Sequence, residues 1–156
     1  MGHGLNRGLW IIAALVAAAG VAAAAAPATT TQVGAATIER MEHAIPHITA
    51  ETDYDALYAL GWVHAQDRLF QMDVQRRLFS GRLATLVGEA ALAQDIELRT
   101  LGLDRAARTS LAVISAEGLG WLQAYSDGVN AYLQDPDQPL PPEYGALELT
   151  RASIPP

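Results

Sequence analysis

The sequence predicts a mainly helical segment with a short β-hairpin at its N-terminal end. Residues 31–50 read as two extended runs around a polar turn, and residues 54–79 carry apolar side chains at helical spacing. A second helical stripe follows a serine at residue 115, and a proline-rich stretch begins at residue 135. These observations divide the chain into three parts: residues 1–28, residues 29–134 and residues 135–156.

The composition excludes several classes of function. All ten basic residues of the 156-residue chain are arginines, and 17 acidic residues give it a formal net charge of −7. Nucleic-acid phosphates and anionic lipid headgroups are bound by positively charged surfaces, so we expect neither as a partner. The chain has no cysteine, which excludes disulfides, thiolate metal sites and a cysteine nucleophile.

Residues 1–28 have the organisation of a secretory signal peptide. Arg7 precedes an apolar run that begins at Leu9, and small residues at Ala26 and Ala28 provide a peptidase site. An uncleaved anchor is the alternative, because the run of about 18 apolar residues approaches the ~20 that span a bilayer. Alanine contributes little to insertion, so we expect cleavage near Ala28, no stable membrane anchor, and a periplasmic or secreted protein.

The first folded element expected is a hairpin within residues 31–50. Two extended runs flank a polar turn at residues 41–44. Pro46 places the second run at an edge or a bulge, because proline has no amide hydrogen to donate to a ladder. The threonine-rich stretch that begins at Thr29 reads as flexible.

Three histidines raise the question of a metal or haem site. His43 and His47 stand four residues apart, a spacing that brings two imidazoles to one helical face. Pro46 lies between them and forbids that helix, so we expect no metal site there. Metal or haem binding through these two residues and His64 remains a minor alternative.

Residues 54–79 predict a long, central helix. Apolar side chains recur at steps of three and four, and a second apolar line covers another side, which leaves only a narrow polar face. We expect Thr52 or Asp53 to cap its start and Gly81 to end it.

Two features inside this helix carry further expectations. Gly61 costs about 1 kcal/mol relative to alanine, which suggests that another backbone passes close to it. Asp73 and Arg77 stand one turn apart and read as a solvent-exposed ion pair worth a few tenths of a kcal/mol.

Two further helices and a short helical turn are expected before residue 135. The turn spans residues 82–88, one helix starts near Asp104, and the other starts at a Ser115 cap with Glu117 in its first turn. Both helices carry an apolar stripe that should lie on a core. Three glycines of the last helix read as packing notches: Gly118, Gly120 and Gly128. Six prolines predict an extended surface segment over residues 135–156.

Five runs of residues resemble, in the same order, blocks from the start of the penicillin acylase family. The run G-W-V-H-A-Q-D-R-L-F-Q-M at residues 61–72 is the most specific, because general helix physics does not require that string. The resemblance covers about residues 37–156. The five runs are residues 45–50, 61–72, 81–88, 99–103 and 124–131.

Two positions in the hairpin depart from the family pattern. Met41 stands where the family usually has aspartate, and Ala44 stands where it usually has glycine. Alanine at a turn position that needs a positive φ strains the backbone, unless the turn type differs.

The resemblance implies an N-terminal-nucleophile amidohydrolase with a four-layer αββα fold. In such enzymes a precursor cleaves itself, and the new N-terminal serine of the downstream chain attacks an amide carbonyl while its own α-amino group acts as base. The family's nucleophile, most oxyanion donors and any calcium ligands lie beyond the matched segment. The resemblance therefore implies no catalytic, cofactor-binding or metal residue in this chain, a downstream chain of the same precursor as partner, and a small-molecule amide bound only by the assembled enzyme.

The hydroxyl residues of the chain do not match the family's nucleophile. The family's cleavage point is typically Gly-Ser, and no serine here follows a glycine. The serines considered are Ser80, Ser110, Ser115, Ser126 and Ser153. Cleavage after Ala28 would expose Thr29 with a free amine, but we expect no scaffold to hold it.

Polar residues of the 61–72 run could be mistaken for a catalytic cluster. His64 and Asp67 are neighbours at helical spacing, and such a pair can act as a general base. We favour a buried polar network of His64, Gln66, Asp67 and Arg68, with Asp67 and Arg68 paired to groups of the absent downstream chain.

The sequence thus predicts the N-terminal part of an exported amidase that hydrolyses linear amides, penicillins or N-acyl compounds, and that is inactive without its nucleophile chain. The alternative is a non-catalytic exported helical module that binds a partner. The acyl group preferred by the assembled enzyme is not encoded in this segment.

Overall fold

A computed structural model of the chain describes residues 28–154, with the side chain of Glu42 excepted. The predicted signal peptide, apart from Ala28, lies outside these described residues. Within them the protein is mainly helical with one small antiparallel sheet, as predicted. None of the described helices is long and apolar enough to cross a membrane.

The described residues form two compact units. The sheet unit comprises residues 28–69 and 114–140, and the helical unit comprises residues 70–113 and 141–154. The sheet unit carries two arginines and ten acidic residues, whereas the helical unit carries seven of each. The negative charge of the chain therefore belongs to the sheet unit.

Three strands form the sheet in the order β1 (Thr29–Val33), β2 (Ala36–Arg40) and β3 (Pro46–Thr49). The predicted hairpin corresponds to β2 and β3, but β1 was read wrongly as flexible. Thr29 pairs with Arg40, and Val33 with Ala36, across a two-residue turn. The apolar alternation that marks a half-buried strand is missing from β1, because Val33 is its only buried residue.

The connection between β2 and β3 carries the strain that the alanine substitution predicts. A short 3₁₀ turn spans Glu42–Ala44, in which His43 has φ +68° and Ala44 has φ +57°. Left-handed backbone costs roughly 1–2 kcal/mol per residue with a side chain. The turn therefore does require the conformation that glycine adopts freely.

The long helix α1 spans Asp53–Phe79, close to the predicted bounds. The Thr52 hydroxyl accepts a hydrogen bond from the Asp55 amide at 3.1 Å, which caps the first turn. At the other end Gly81 takes φ +62°, and the Arg82 amide donates to the Arg77 carbonyl at 2.7 Å. Within the helix, Arg68 departs from helical geometry with φ −142° and ψ 20°.

Helix α5 (Ala116–Gln134) crosses α1 at a pair of glycines, as the sequence suggested for Gly61. A Cβ atom on Gly61 would lie 2.1 Å from the Tyr125 carbonyl oxygen, and one on Gly128 would lie 1.9 Å from the Tyr58 carbonyl oxygen. Each helix thus uses a glycine to admit the backbone of the other. Gly120, by contrast, faces open space and is not a packing notch within the described residues.

The sheet packs its inner face on the first half of α1. The core comprises Val33, Ala36, Ile38, Ala59 and Val63. The predicted cap of α5 is confirmed, since the Ser115 hydroxyl accepts from the Gly118 amide at 3.0 Å. Its predicted apolar stripe is wrong in its first half, where Leu119 and Leu122 are exposed.

Three helices of the helical unit lie between α1 and α5: α2 (Ala84–Val87), α3 (Leu92–Leu101) and α4 (Leu103–Ser110). Helix α3 was not predicted from the sequence, because the side chain that it buries is Asp95 rather than an apolar residue. The Asp95 carboxylate accepts from the backbone amides of Leu83 and Ala84, each at 2.8 Å. It thereby caps the N-terminus of α2 from a different helix.

The proline-rich segment is not simply extended, contrary to prediction. Pro142 starts the short helix α6 (Pro142–Ala146), a position where its missing amide hydrogen costs nothing. A 3₁₀ turn follows at Arg151–Ser153. Tyr144 and Ile154 are buried, so this segment contributes to the core of the helical unit.

Candidate functional site

The polar face of α1 holds the residues that the sequence offered as a catalytic cluster. Arg40 of β2 forms a bidentate ion pair with Asp67, with nitrogen–oxygen distances of 2.8 and 3.0 Å. The same guanidinium donates to the Gln66 side chain at 2.7 Å and to the Ala44 carbonyl at 3.0 Å. Arg40 therefore ties the strained turn to the helix.

This arrangement corrects the expected role of Asp67. Its partner is Arg40 of the same chain, not a group of a missing chain, and the Asp67 side chain is 37% exposed rather than buried. Both carboxylate oxygens accept from Arg40, so the carboxylate is not presented to His64 as an orienting partner. Arg68 is exposed.

His64 instead pairs with Tyr125 of α5. The imidazole Nδ1 and the phenol oxygen lie 2.9 Å apart, and the two rings meet edge to face. Partial burial raises the pKa of Tyr125 above its ordinary value of 10.0. The pair holds α1 against α5 beside the Gly61 crossing.

A buried charged network in the helical unit was missed by the sequence analysis, which read Asp73 and Arg77 as solvated. Asp73 is 3% exposed and Arg77 is 8% exposed. The Arg77 guanidinium donates to Asp73 at 3.0 Å, to the Thr85 hydroxyl at 2.6 Å and to the Ser153 carbonyl at 2.7 Å. The cation is thus satisfied by three acceptors, as a buried charge requires.

Tyr144 completes this network from α6. Its hydroxyl donates to Asp73 at 3.3 Å, and its ring meets Phe70 edge to face. Burial and the neighbouring Asp73 carboxylate raise the pKa of Tyr144 well above its ordinary value, because both disfavour the phenolate. The only sequence signal for this burial was a tyrosine in a segment otherwise read as surface.

The serines considered as nucleophiles serve local backbone structure where their contacts are described. The hydroxyls of Ser80 and Ser110 donate to carbonyls one turn earlier, at 2.7 and 2.9 Å. Ser115 caps α5, and Ser153 forms a capping box with Thr150. Ser126 is exposed on α5, and Thr29 is held in β1 rather than in a flexible stretch.

The helical unit contains an open cavity of about 270 Å³. It is lined by Phe79, Ser80, Leu98, Arg99, Gly102, Asp104 and Arg105. Arg99 donates to the Gly81 carbonyl at 2.7 Å, and Asp104 is paired with Arg108 at 2.8 Å. Among residues 28–154, no three histidine or acidic side chains come together as a metal site would require.

Apolar side chains remain exposed on α3 and on the 3₁₀ turn Leu111–Val113 that follows α4. Ile96, Leu101 and Val113 are 59%, 64% and 85% exposed. Helix α4 has no buried residue, so the prediction that its apolar stripe lies on a core is wrong within the described residues. Exposed apolar side chains grouped on neighbouring elements mark surfaces that contact other protein. The described residues therefore combine a hydrogen-bonded internal network around Arg77 with uncovered apolar surface.

Comparison with known proteins agrees with the sequence resemblance. A family model described as penicillin amidase matches residues 35–155. Penicillin acylase 2 proenzyme from Pseudomonas sp. strain SE83 is 46% identical over 110 residues, which is 70% of this chain and 14% of that protein. Penicillin G acylase from Escherichia coli is 35% identical over 117 residues, which is 72% of this chain and 14% of that protein.

Two further proteins are similar. Acyl-homoserine lactone acylase QuiP from Pseudomonas aeruginosa is 44% identical over 97 residues, 62% of this chain and 12% of that protein. The solved thermostable penicillin G acylase from Alcaligenes faecalis superposes with a TM-score of 0.66 at 32% identity and covers 79% of this chain and 69% of that one. The chain thus spans only about an eighth of the length of the sequence relatives it matches.

Proposed function

Because the chain belongs to the penicillin acylase family, we propose that it is the N-terminal part of an exported amidase whose attacking residue lies on a downstream chain. The observation that carries this proposal is the match over residues 35–155 to acylases of which the chain represents 12–14%. The activity is hydrolysis of linear amides. The substrate class is penicillins or N-acyl compounds, in line with the names of the relatives.

The assembled enzyme would use one residue for two tasks. The leading serine of the downstream chain attacks the amide carbonyl, and its α-amino group takes the proton, directly or through a water. Hydrogen-bond donors stabilise the oxyanion that forms. The present chain contributes scaffold: Arg40, Asp67 and His64 fix α1 to its neighbours.

Export is part of the proposal. Residues 1–28 have signal-peptide organisation, and β1 begins at Thr29, so cleavage near Ala28 leaves the sheet intact. We propose a periplasmic or secreted enzyme with a four-layer αββα fold once the downstream chain is present. The uncovered apolar side chains of α3 and α4 support the need for such a partner.

Co-expression with the remainder of a relative tests the proposal. The chain is produced with the downstream part of the Pseudomonas sp. SE83 penicillin acylase 2, and hydrolysis of phenylacetyl and acyl-homoserine lactone amides is measured. We expect turnover with both parts present, and none when either part is omitted or when the leading serine of the downstream part is replaced by alanine. Turnover by residues 29–156 alone that disappears when one of their own hydroxyl residues is replaced would contradict the proposal.

The same preparations test the alternative of a partner-binding module without chemistry. That module would unfold cooperatively as a monomer or defined dimer at micromolar concentration, because it needs no second chain to cover it. An amidase segment instead stays molten or aggregates alone and becomes soluble on co-expression. Light scattering and thermal unfolding of the chain, with and without the downstream part, separate the two.

A further inference from the structure

We infer that the outer edge of β1 pairs with a β-strand of the downstream chain and extends the three-stranded sheet by one strand. This inference rests on the proposed function, since it assigns a contact to the partner proposed there. It concerns the two edges of the sheet, which differ in sequence and in the hydrogen-bonding groups they present.

The outer edge of β3 carries a residue that hinders pairing with a further strand, and the outer edge of β1 does not. The register pairs Arg40 with Pro46, and proline presents no amide hydrogen at the free side of β3. The strand β1 has the sequence T-T-T-Q-V, without proline, glycine or charge. Natural proteins protect free edges with proline, charged side chains or bulges. An edge strand without proline or charge, such as β1, is therefore expected to be covered in the complete protein.

The register identifies the free hydrogen-bonding groups on β1. Val33 and Ala36 flank a two-residue turn, so they exchange hydrogen bonds, and the pairs along an antiparallel ladder then alternate. The backbone groups of Thr31 likewise point toward Ile38 of β2. The backbone groups of Thr30 and Gln32 therefore point away from β2, toward an edge that carries no further strand among residues 28–154.

The outer face of the sheet favours contact through this edge rather than through the face. The inner face packs on α1, and the outer face is entirely polar. Its residues are Thr30, Gln32, Thr37, Glu39, His47 and Thr49. A second sheet stacked on that face would bury polar side chains without apolar gain. Strand addition buries mainly backbone groups that are then satisfied by hydrogen bonds.

The downstream chain, rather than a second copy, is the occupant. The sheet unit has two arginines against ten acidic residues, so two copies joined at this edge would bring two strongly negative units together. The relatives contain about seven times the length of the matched segment, so most of their chain lies outside it. A strand of the same precursor is also present at high effective concentration.

A proline substitution at Gln32 tests the inference in the co-expressed pair. Gln32→Pro removes an outward amide hydrogen and leaves the hydrogen bonds to β2 in place. Gln32→Val is the matched control, because it also removes the side-chain bond to Thr37 but keeps the amide hydrogen. We expect at least about tenfold less downstream chain to co-purify with the proline variant, because the variant loses the backbone hydrogen bond from residue 32 to the added strand. The valine variant should co-purify as the wild type does.

Hydrogen exchange of the wild-type pair provides a readout that needs no variant. The Gln32 amide should exchange slowly in the assembled pair, where a new strand protects it, and at the rate of a free edge when the downstream part is omitted. The Thr31 and Val33 amides should be protected in both preparations wherever the sheet is formed.

The outcomes separate this inference from the proposed function. If the pair assembles and hydrolyses amides while Gln32 exchanges freely and the proline variant co-purifies normally, the edge contact is wrong and the proposed function stands. If the wild-type chain neither assembles nor supports hydrolysis, both are wrong. A homodimer of this chain that the proline variant disrupts would assign the edge to a second copy and overturn the inference.

Discussion

Two of the described arginine–aspartate pairs have similar nitrogen–oxygen distances but very different surroundings. In the sheet unit, Arg40 and Asp67 meet at 2.8 Å with side chains 17% and 37% exposed. In the helical unit, Arg77 and Asp73 meet at 3.0 Å with side chains 10% and 2% exposed. The residue types and the distance therefore do not determine how much free energy of unfolding is lost when such a pair is broken. Burial does, because a buried charge that loses its partner keeps its desolvation cost.

The two units also close their cores differently. The sheet unit brings two helix backbones into contact through Gly61 and Gly128, and its charges lie outside. The helical unit brings Asp73, Arg77 and Tyr144 inside and satisfies them with hydrogen bonds. Substitutions that add a methyl group should therefore harm the first unit most, and substitutions that remove a polar group should harm the second.

The largest effect is expected from removing the buried carboxylate. Asp73→Ala leaves the Arg77 cation buried without its counter-charge and should lower the free energy of unfolding by about 3 kcal/mol or more. The matched surface variant Asp67→Ala should cost less than about 1 kcal/mol. Thermal unfolding of the co-expressed pair checks both, and equal losses would remove the distinction between the two ion pairs.

A methyl group at the helix crossing should have the next largest effect. Gly128→Ala places a Cβ atom about 1.9 Å from a carbonyl oxygen and forces the helices apart, for a loss of about 3 kcal/mol. Gly120→Ala lies in the same helix with open space around it and should stabilise by about 0.5–1 kcal/mol. The same thermal measurement is used, and a neutral Gly128→Ala would show that the crossing is not tightly packed.

Alkaline pH should destabilise the helical unit through Tyr144. Its folded pKa is raised above the ordinary 10.0, so both states hold the proton below pH 10 and the tyrosine adds no pH dependence there. Above pH 10 the unfolded state loses the proton first, and stability falls as pH rises. Tyr144→Phe should be less stable near neutrality by about 1 kcal/mol, yet show a shallower decline above pH 10. Urea unfolding at a series of pH values measures the slope, and an unchanged slope would contradict the assignment.

The smallest effect is expected at the strained turn. Ala44→Gly relieves φ +57° and should stabilise the sheet unit by up to about 1 kcal/mol. Ala35→Gly, at a turn position without positive φ, should instead cost about 0.5 kcal/mol by adding chain entropy. If Ala44→Gly were also destabilising, the strain at this turn would be compensated by a contact of the methyl group.

The sequence correctly predicted those structural features that depend on residues close together in the chain. The bounds of α1, the Ser115 cap and the glycine end at Gly81 all follow from residues within a few positions of one another. The strain at Ala44 was likewise visible as a departure from a pattern. These features needed no knowledge of the rest of the chain.

Features that depend on distant residues were missed. The burial of Asp73 depends on Tyr144, 71 residues away, and α3 turns an acidic residue inward to cap a helix that starts eleven residues earlier. Strand β1 lacks apolar alternation because most of its surface is left open in this segment. The candidate site was predicted as residues of α1, but Arg40 and Tyr125, which fix their roles, come from other elements.

The bond from Arg77 to Ser153 also sets an order of events during synthesis. The two residues are 76 positions apart, so the ribosome needs about 4–15 s after making the arginine before its last acceptor exists. Until then the guanidinium must stay hydrated, and that part of the helix cannot complete its packing. On the export proposed above, a segment that remains loose until its end has emerged is still able to thread through a narrow translocation channel.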